Sequence, residues 1–178
     1  MELIEKTKES KVIFDGKVVR LMYDVVTLPN GGESIREYVK HVGAVCIVPI
    51  TDDGRVILER QYRYAVGETL IEIPAGKLDS ADEVPLEAAL RELREETGIV
   101  PDEMIYMGVY YGSPAIMGEK IHMYLAKGLQ FGKDDLDDDE FLEVFTIPLT
   151  EAVEMVLRGE IKDGKTQTAI LRARMMTS

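Results

Sequence analysis

Four charged residues in one short stretch, Arg91, Glu92, Glu95 and Glu96, have the types and the spacing to do chemistry. They lie within residues 76–99, where a glycine-containing loop runs into a short helix ending at Gly98. At about 100° per residue, positions i, i+3 and i+4 share one stripe, so Glu92, Glu95 and Glu96 crowd onto one face. Like charges at these spacings destabilise a helix by about a few tenths of a kcal/mol per pair. Acidic groups in the last turn also oppose the helix dipole, and a helix built only for stability would carry Lys there. A bound ligand offsets that cost, and a magnesium-like cation, which prefers oxygen donors, is the natural one. Held against a phosphate, such an ion implies a pyrophosphate-cleaving enzyme. A Glu-rich face can also be plain solvated surface. The fixed register of glycine loop, Arg91-Glu92 pair, Glu95-Glu96 pair and capping Gly98 favours the site.

The elements that must position these residues are legible around them. Pro85 suits a first helical position and Gly98 a C-terminal cap, so the helix spans about Pro85–Thr97. Leu86, Ala89, Leu90 and Leu93 form a second, apolar stripe, leaving Arg91, Arg94 and Glu87 for the solvent side. The first forty residues read as strands. Residues 17–28 mix β-branched and aliphatic side chains, Pro29-Asn30-Gly31-Gly32 makes a turn, and 34–41 resumes an extended pattern. Residues 44–50 form a continuous apolar run suited to a strand covered on both faces. Asp52-Asp53-Gly54 turns the chain into 56–62, and 70–73 delivers it to Pro74-Ala75-Gly76. Further strands are expected at 104–111, 120–126 and 141–147. Thr150 can cap a helix that Gly159 stops, and 166–176 reads as a final helix. The fold class is therefore α+β: a central mixed β-sheet sandwiched by helices, with an N-terminal antiparallel strand extension.

With 178 residues the chain can bury a substantial core, organised as a strand region over 1–41 and a larger domain over 42–178. A net charge of −12 argues against a nucleic-acid partner, whose binding rests on clustered cations. The single cysteine, Cys46, lies in an apolar run and reads as a buried core thiol. There is no basic-then-apolar leader and no apolar stretch of about 18 residues, so a soluble, cytoplasmic protein without membrane contact is expected. Neither His41 nor His122 has the spacing of a catalytic triad or a zinc site. What remains is acid, metal and water, which suffices to split a pyrophosphate. Glu92 and Glu96 are the expected metal ligands, with Glu95 sharing the ion or bridging to it through water.

In these residues the chain resembles the Nudix hydrolases. Their signature is a glycine, a five-residue spacer, a glutamate, seven residues, then Arg-Glu-aliphatic-x-Glu-Glu-x-Gly-aliphatic. Residues 91–99 match its distal half fully. The proximal half departs from it: seven residues back from Arg91 stands Glu83, yet six residues separate Gly76 from Glu83. Either the loop carries one extra residue or Asp82 takes the acidic position, and the first is preferred because loop insertions are tolerated more easily than shifts of helix register. The flanking Glu72-Ile73-Pro74-Ala75-Gly76, Arg60-Gln61-Tyr62-Arg63 and Ser113-Pro114-Ala115 are similar to ADP-ribose pyrophosphatases.

That resemblance implies a Nudix-type fold, an Mg2+ cofactor (Mn2+ as an alternative) and a small nucleotide-sugar substrate. It also implies that the carbonyl of Ala75 joins the metal shell. A further acidic residue should come from a later loop, here Asp137-Asp138-Asp139-Glu140, with Glu140 or Glu95 activating water and Glu119 as the runner-up. Arg63 and Arg36 are candidates for the diphosphate or terminal ribose, because a guanidinium offers forked donors. Glu72 matches a residue that touches substrate, and Tyr38, Tyr62 and Tyr64 could stack on a base. The N-terminal strands would build a homodimer. The implied activity is hydrolysis of ADP-ribose to AMP and ribose 5-phosphate. The alternatives are another nucleoside diphosphate sugar or a module that senses a nucleotide without cleaving it.

Overall fold

The computed structural model describes residues 2–133 and 141–177, and its chain packs as two compact units. The first unit comprises the residues up to Val42 together with Tyr111–Lys120. Its strands β1 (Lys6–Asp15), β2 (Arg20–Thr27) and β3 (Glu33–Lys40) form an antiparallel sheet in the order β1-β2-β3. The expected turn joins β2 to β3: Gly31, at φ 84°, donates its N–H to the carbonyl of Leu28. β2 alternates as a half-buried strand should, with Met22, Asp24 and Val26 inside. The sequence reading placed 111–120 in the larger domain. Packing puts it in the first unit, where Val39 donates to the carbonyl of Ile116 at 2.8 Å and accepts from the N–H of Gly118 at 2.9 Å.

The second unit is built around β4 (Ala44–Pro49), the fully buried apolar run. Its remaining elements are β5 (Arg55–Arg63), β6 (Glu68–Glu72), β7 (Ala75–Lys77), α1 (Pro85–Thr97), β8 (Ile99–Tyr110), β9 (Ile121–Phe131), β10 (Leu142–Pro148), α2 (Leu149–Leu157) and α3 (Gly164–Met176). One sheet runs β7-β4-β9-β8, with β4 and β9 parallel and the other pairs antiparallel, so it is mixed. A second, antiparallel sheet runs β10-β5-β6. Because successive side chains of a strand point to opposite faces, β4 supports two cores. Val45 and Ile47 pack with Ala88, Ala89 and Leu93 of α1. Cys46 and Val48 pack with Ala169, Ile170 and Ala173 of α3. Helices therefore cover both faces of the mixed sheet, the expected α+β sandwich. No helix among the described residues is long and apolar enough to cross a membrane.

Several boundaries differ from the sequence reading. α2 starts at Leu149 after Pro148 rather than on a Thr150 cap. α3 starts two residues early, because Asp163 caps it by accepting from the N–H of Thr166 at 2.9 Å. β8 begins directly after the Gly98 cap, at Ile99. The three-residue β7 has no periodic signature, yet it proves central to the site.

Candidate active site

α1 holds the bounds that Pro85 and Gly98 dictate. Gly98 adopts φ 69° and donates its N–H to the carbonyl of Arg94 at 2.8 Å, closing the helix in the left-handed cap glycine favours. The buried face differs from the expected stripe. Leu86 and Leu90 are 40% and 37% exposed, while Ala88, Ala89, Leu93 and Glu96 are buried. The small Ala88-Ala89 pair lets the helix lie close to the sheet. That rotation turns Glu92 and Glu96 toward β7 instead of solvent.

Contact with β7 is intimate. Glu96, 2% exposed, accepts the N–H of Ala75 at 3.0 Å. A Cβ added at Gly76 would lie 1.8 Å from the carboxyl carbon of Glu92 and 2.0 and 2.1 Å from its oxygens. Glu92 thus occupies the space that any other residue at 76 would fill with its own side chain. Strand pairing fixes this platform, since Ala75 and Gly76 stand opposite Cys46 and Val45 of β4. Ile47 donates its N–H to the carbonyl of Pro74 at 2.9 Å.

Arg91, expected on the solvent side, instead binds the acids together. One terminal nitrogen donates to Glu92 at 2.8 Å and to Glu95 at 3.1 Å. The other nitrogens reach Glu83 at 3.3 and 3.4 Å and the carbonyl of Lys77 at 3.4 Å. Burial works against the Arg91 charge, but Glu92, Glu95 and Asp79 more than reverse that and keep the guanidinium protonated. Glu83 also accepts the N–H of Asp79 at 2.6 Å, closing the loop before α1. Of the two alternatives for the acidic loop position, Glu83 makes these contacts, while Asp82 is exposed.

A second polar cluster lies three residues up the chain from Ala75. Arg63, at the end of β5, grips Glu72 with two hydrogen bonds of 2.7 and 2.8 Å. Lys165 of α3 pairs with Glu72 from the other side and with Asp163 at 3.0 Å. Burial pushes the Glu72 carboxyl up, but Arg63 and Lys165 outweigh it and hold the group below the usual carboxylate range. Burial likewise lowers Lys165, and Asp163 and Glu72 reverse that shift. Glu59, fully buried on β5, stands opposite Glu72 in the strand register, and its charge joins that of Glu72 in favouring the protonated Arg63 guanidinium. Sequence reasoning missed Lys165, Asp163, Thr166 and Glu59. The Asp163-x-x-Thr166 capping pattern was the one available signal.

The structure brings together Ala75, Glu92, Glu95 and Glu96, and places Arg63 and Glu72 against each other. Arg36 and Glu119 belong to the first unit. There Arg36 donates to Glu5 at 2.8 Å, and Glu119 lies 3.6 Å from His41. Tyr38 of that unit donates to Asp24 at 3.2 Å, whereas Tyr62 and Tyr64 are exposed. Glu140 lies outside the described residues. His122 shares a 3.2 Å hydrogen bond with the Tyr106 hydroxyl, in keeping with a packing role. Among the described residues no three His, Cys, Asp or Glu side chains already converge as metal ligands would. The donors around β7 are nonetheless all oxygen, and Arg91 supplies the cation that Glu92 and Glu95 share. That donor set fits a hard divalent ion.

The family model of the NUDIX domain matches residues 40–168. The chain belongs to the NUDIX domain family. The matched NUDIX span begins at the end of β3 and runs into the first turns of α3. Among curated proteins, the chain is 44% identical over 170 residues to an ADP-ribose pyrophosphatase of Bacillus subtilis, covering 94% of this chain and 91% of that one. It is 41% identical over 168 residues to a methanol dehydrogenase activator of Bacillus methanolicus, covering 93% and 90%. A solved structure described as an ADP compounds hydrolase superposes with a TM-score of 0.84 over 99% of this chain and 96% of that one. At 21% identity that likeness speaks for the fold alone.

Proposed function

We propose that this protein hydrolyses the pyrophosphate bond of ADP-ribose, giving AMP and ribose 5-phosphate, with Mg2+ as cofactor and Mn2+ able to replace it. The observation that carries this reading is the fit of the Glu92 carboxylate into the space left by Gly76, beside the Glu96–Ala75 hydrogen bond. A buried carboxylate at Glu96, with half-buried Glu92 and Glu95 held together by one guanidinium beside it, is costly unless the group serves a ligand. The name of the B. subtilis relative supplies the substrate class.

Glu92, Glu95, Glu96 and the carbonyl of Ala75 would hold the ion, which would compete with Arg91 for Glu92 and Glu95. When bound, it polarises phosphoryl oxygens and neutralises their charge. Glu140 or Glu95 takes the proton of the attacking water. The water oxygen bonds to one phosphorus, and the bridging oxygen leaves on the other. Arg63, with Glu72 beside it, orients the diphosphate or the terminal ribose. The first unit makes a homodimer, which sedimentation would register as twice 20.0 kDa. The protein works in the cytoplasm, without nucleic-acid or membrane partners.

The test is product analysis of ADP-ribose incubated with the purified chain, with Mg2+ and with EDTA. AMP and ribose 5-phosphate in equal amounts, abolished by EDTA, is the expected result, and no AMP with active controls refutes it. Comparing kcat/KM for ADP-ribose, ADP-glucose, GDP-mannose and a nucleoside triphosphate separates this substrate from other nucleoside diphosphate sugars.

A further inference from the structure

The segment that carries Ala75 and Gly76 is held from three sides. Glu96 of α1 takes the N–H of Ala75, and β4 takes the carbonyl of Pro74 through Ile47. The third hold comes from the C-terminal helix, 93 positions away in sequence. The Thr166 hydroxyl, fully buried, accepts the N–H of Ile73 at 3.1 Å. Its own proton goes to Asp163 at 2.6 Å. A hydroxyl has one proton and two lone pairs, so Asp163 fixes the direction in which Thr166 can accept. Asp163 is fixed in turn by the N–H of Thr166 and by Lys165, whose Nζ also grips Glu72. Both ends of the Glu72-Ile73 step are thus tied to the first turn of α3.

We infer that Thr166, oriented by Asp163, is a positioning residue for the metal shell: it sets the backbone of residues 73–76 so that the Ala75 carbonyl and the Gly76 cradle meet Glu92 and Glu96. The inference rests on the reading above that Ala75, Glu92 and Glu96 hold the ion. A buried backbone N–H needs a partner, and among the described residues the Thr166 hydroxyl is the side-chain acceptor that provides it. Groups that orient metal ligands in this way change metal affinity by about 10- to 100-fold when removed.

The experiment is Mn2+ binding to the full chain, read from the electron paramagnetic resonance signal of free Mn2+, in wild type, Thr166→Val and Thr166→Ser, with thermal melting on the same samples. Valine keeps the shape and removes the acceptor, while serine keeps the acceptor. The expected result is Mn2+ affinity at least about 10-fold weaker in Thr166→Val and within about twofold of wild type in Thr166→Ser. Wild-type affinity in a folded Thr166→Val overturns the inference and leaves the metal site standing, even if its melting temperature falls. No Mn2+ uptake by wild type overturns the metal site and the inference together. Should Thr166→Val fail to fold, Thr166→Ala, which puts no methyl against the Ile73 N–H, is read by the same criteria.

Discussion

Gly76→Ala probes the contact on which the site is built. The added Cβ would sit 1.8 Å from the carboxyl carbon of Glu92, where ordinary contact begins at 3.4 Å. The carboxylate must therefore retreat by roughly 1.5 Å, and its 2.8 Å hydrogen bond to Arg91 goes with it. The clashing atoms are the far end of a flexible side chain, so the fold can accommodate the change. Overpacking of this kind destabilises by about 1–3 kcal/mol, a fall in Tm of about 2–12 °C for a chain of this size. The chemistry has no such latitude, since misplacing a reacting group by about 1 Å can lower rate by about 100-fold. The expected signature is kcat down by about 100-fold or more in a protein that still melts cooperatively within about 12 °C of wild type, measured on ADP-ribose with saturating Mg2+. Wild-type kcat in Gly76→Ala would show that Glu92 does its work from some other position, and the site as described would be wrong.

Other outcomes follow from the buried charges and the thiol. Glu72→Gln should destabilise by about 1–3 kcal/mol at pH 7, because Arg63 and Lys165 lose their charged partner. Glu72 is held below its ordinary 4.5, so its stabilisation is complete above that value and fades as pH falls through the lower folded value. The gap in Tm between wild type and Glu72→Gln should therefore be full at pH 7 and close under acid; a gap that widens below pH 4.5 contradicts the assignment. Burial pushes the Cys46 thiol up to about 12, with Lys165 acting in the opposite sense. Native protein at pH 8 should resist alkylation at Cys46 while denatured protein reacts; rapid labelling of the native chain would mean that β4 opens readily.

Much of the fold was legible because punctuation residues are unambiguous. Pro85 and Gly98 bounded α1 to the residue, and the unbroken apolar run of β4 announced a strand covered on both faces. What failed did so for tertiary reasons. The apolar stripe drawn through Leu86 and Leu90 assumed that hydrophobic side chains choose the buried face. Here close approach through Ala88-Ala89 turned the Glu92 and Glu96 carboxylates of the helix toward β7. Arg91 looked solvent-facing on a helical wheel, but its partners include Glu83 and Asp79 of the preceding loop and the Lys77 carbonyl of β7, which no wheel includes. β7 is too short to show a period, and the Gly76 cradle is a property of two segments in contact. The link from Thr166 to Ile73 spans 93 positions and has no local signal beyond a helix cap.

The account stands on the carboxylates of α1 acting as ligands for chemistry, and Glu96→Gln tests that most directly. The amide keeps an oxygen that can accept the Ala75 N–H, so the backbone stays in place while one negative charge is removed. With kcat on ADP-ribose and calorimetric ADP-ribose affinity measured on one preparation, turnover should fall by about 100-fold or more while ligand still binds. Undiminished turnover in Glu96→Gln would contradict the account.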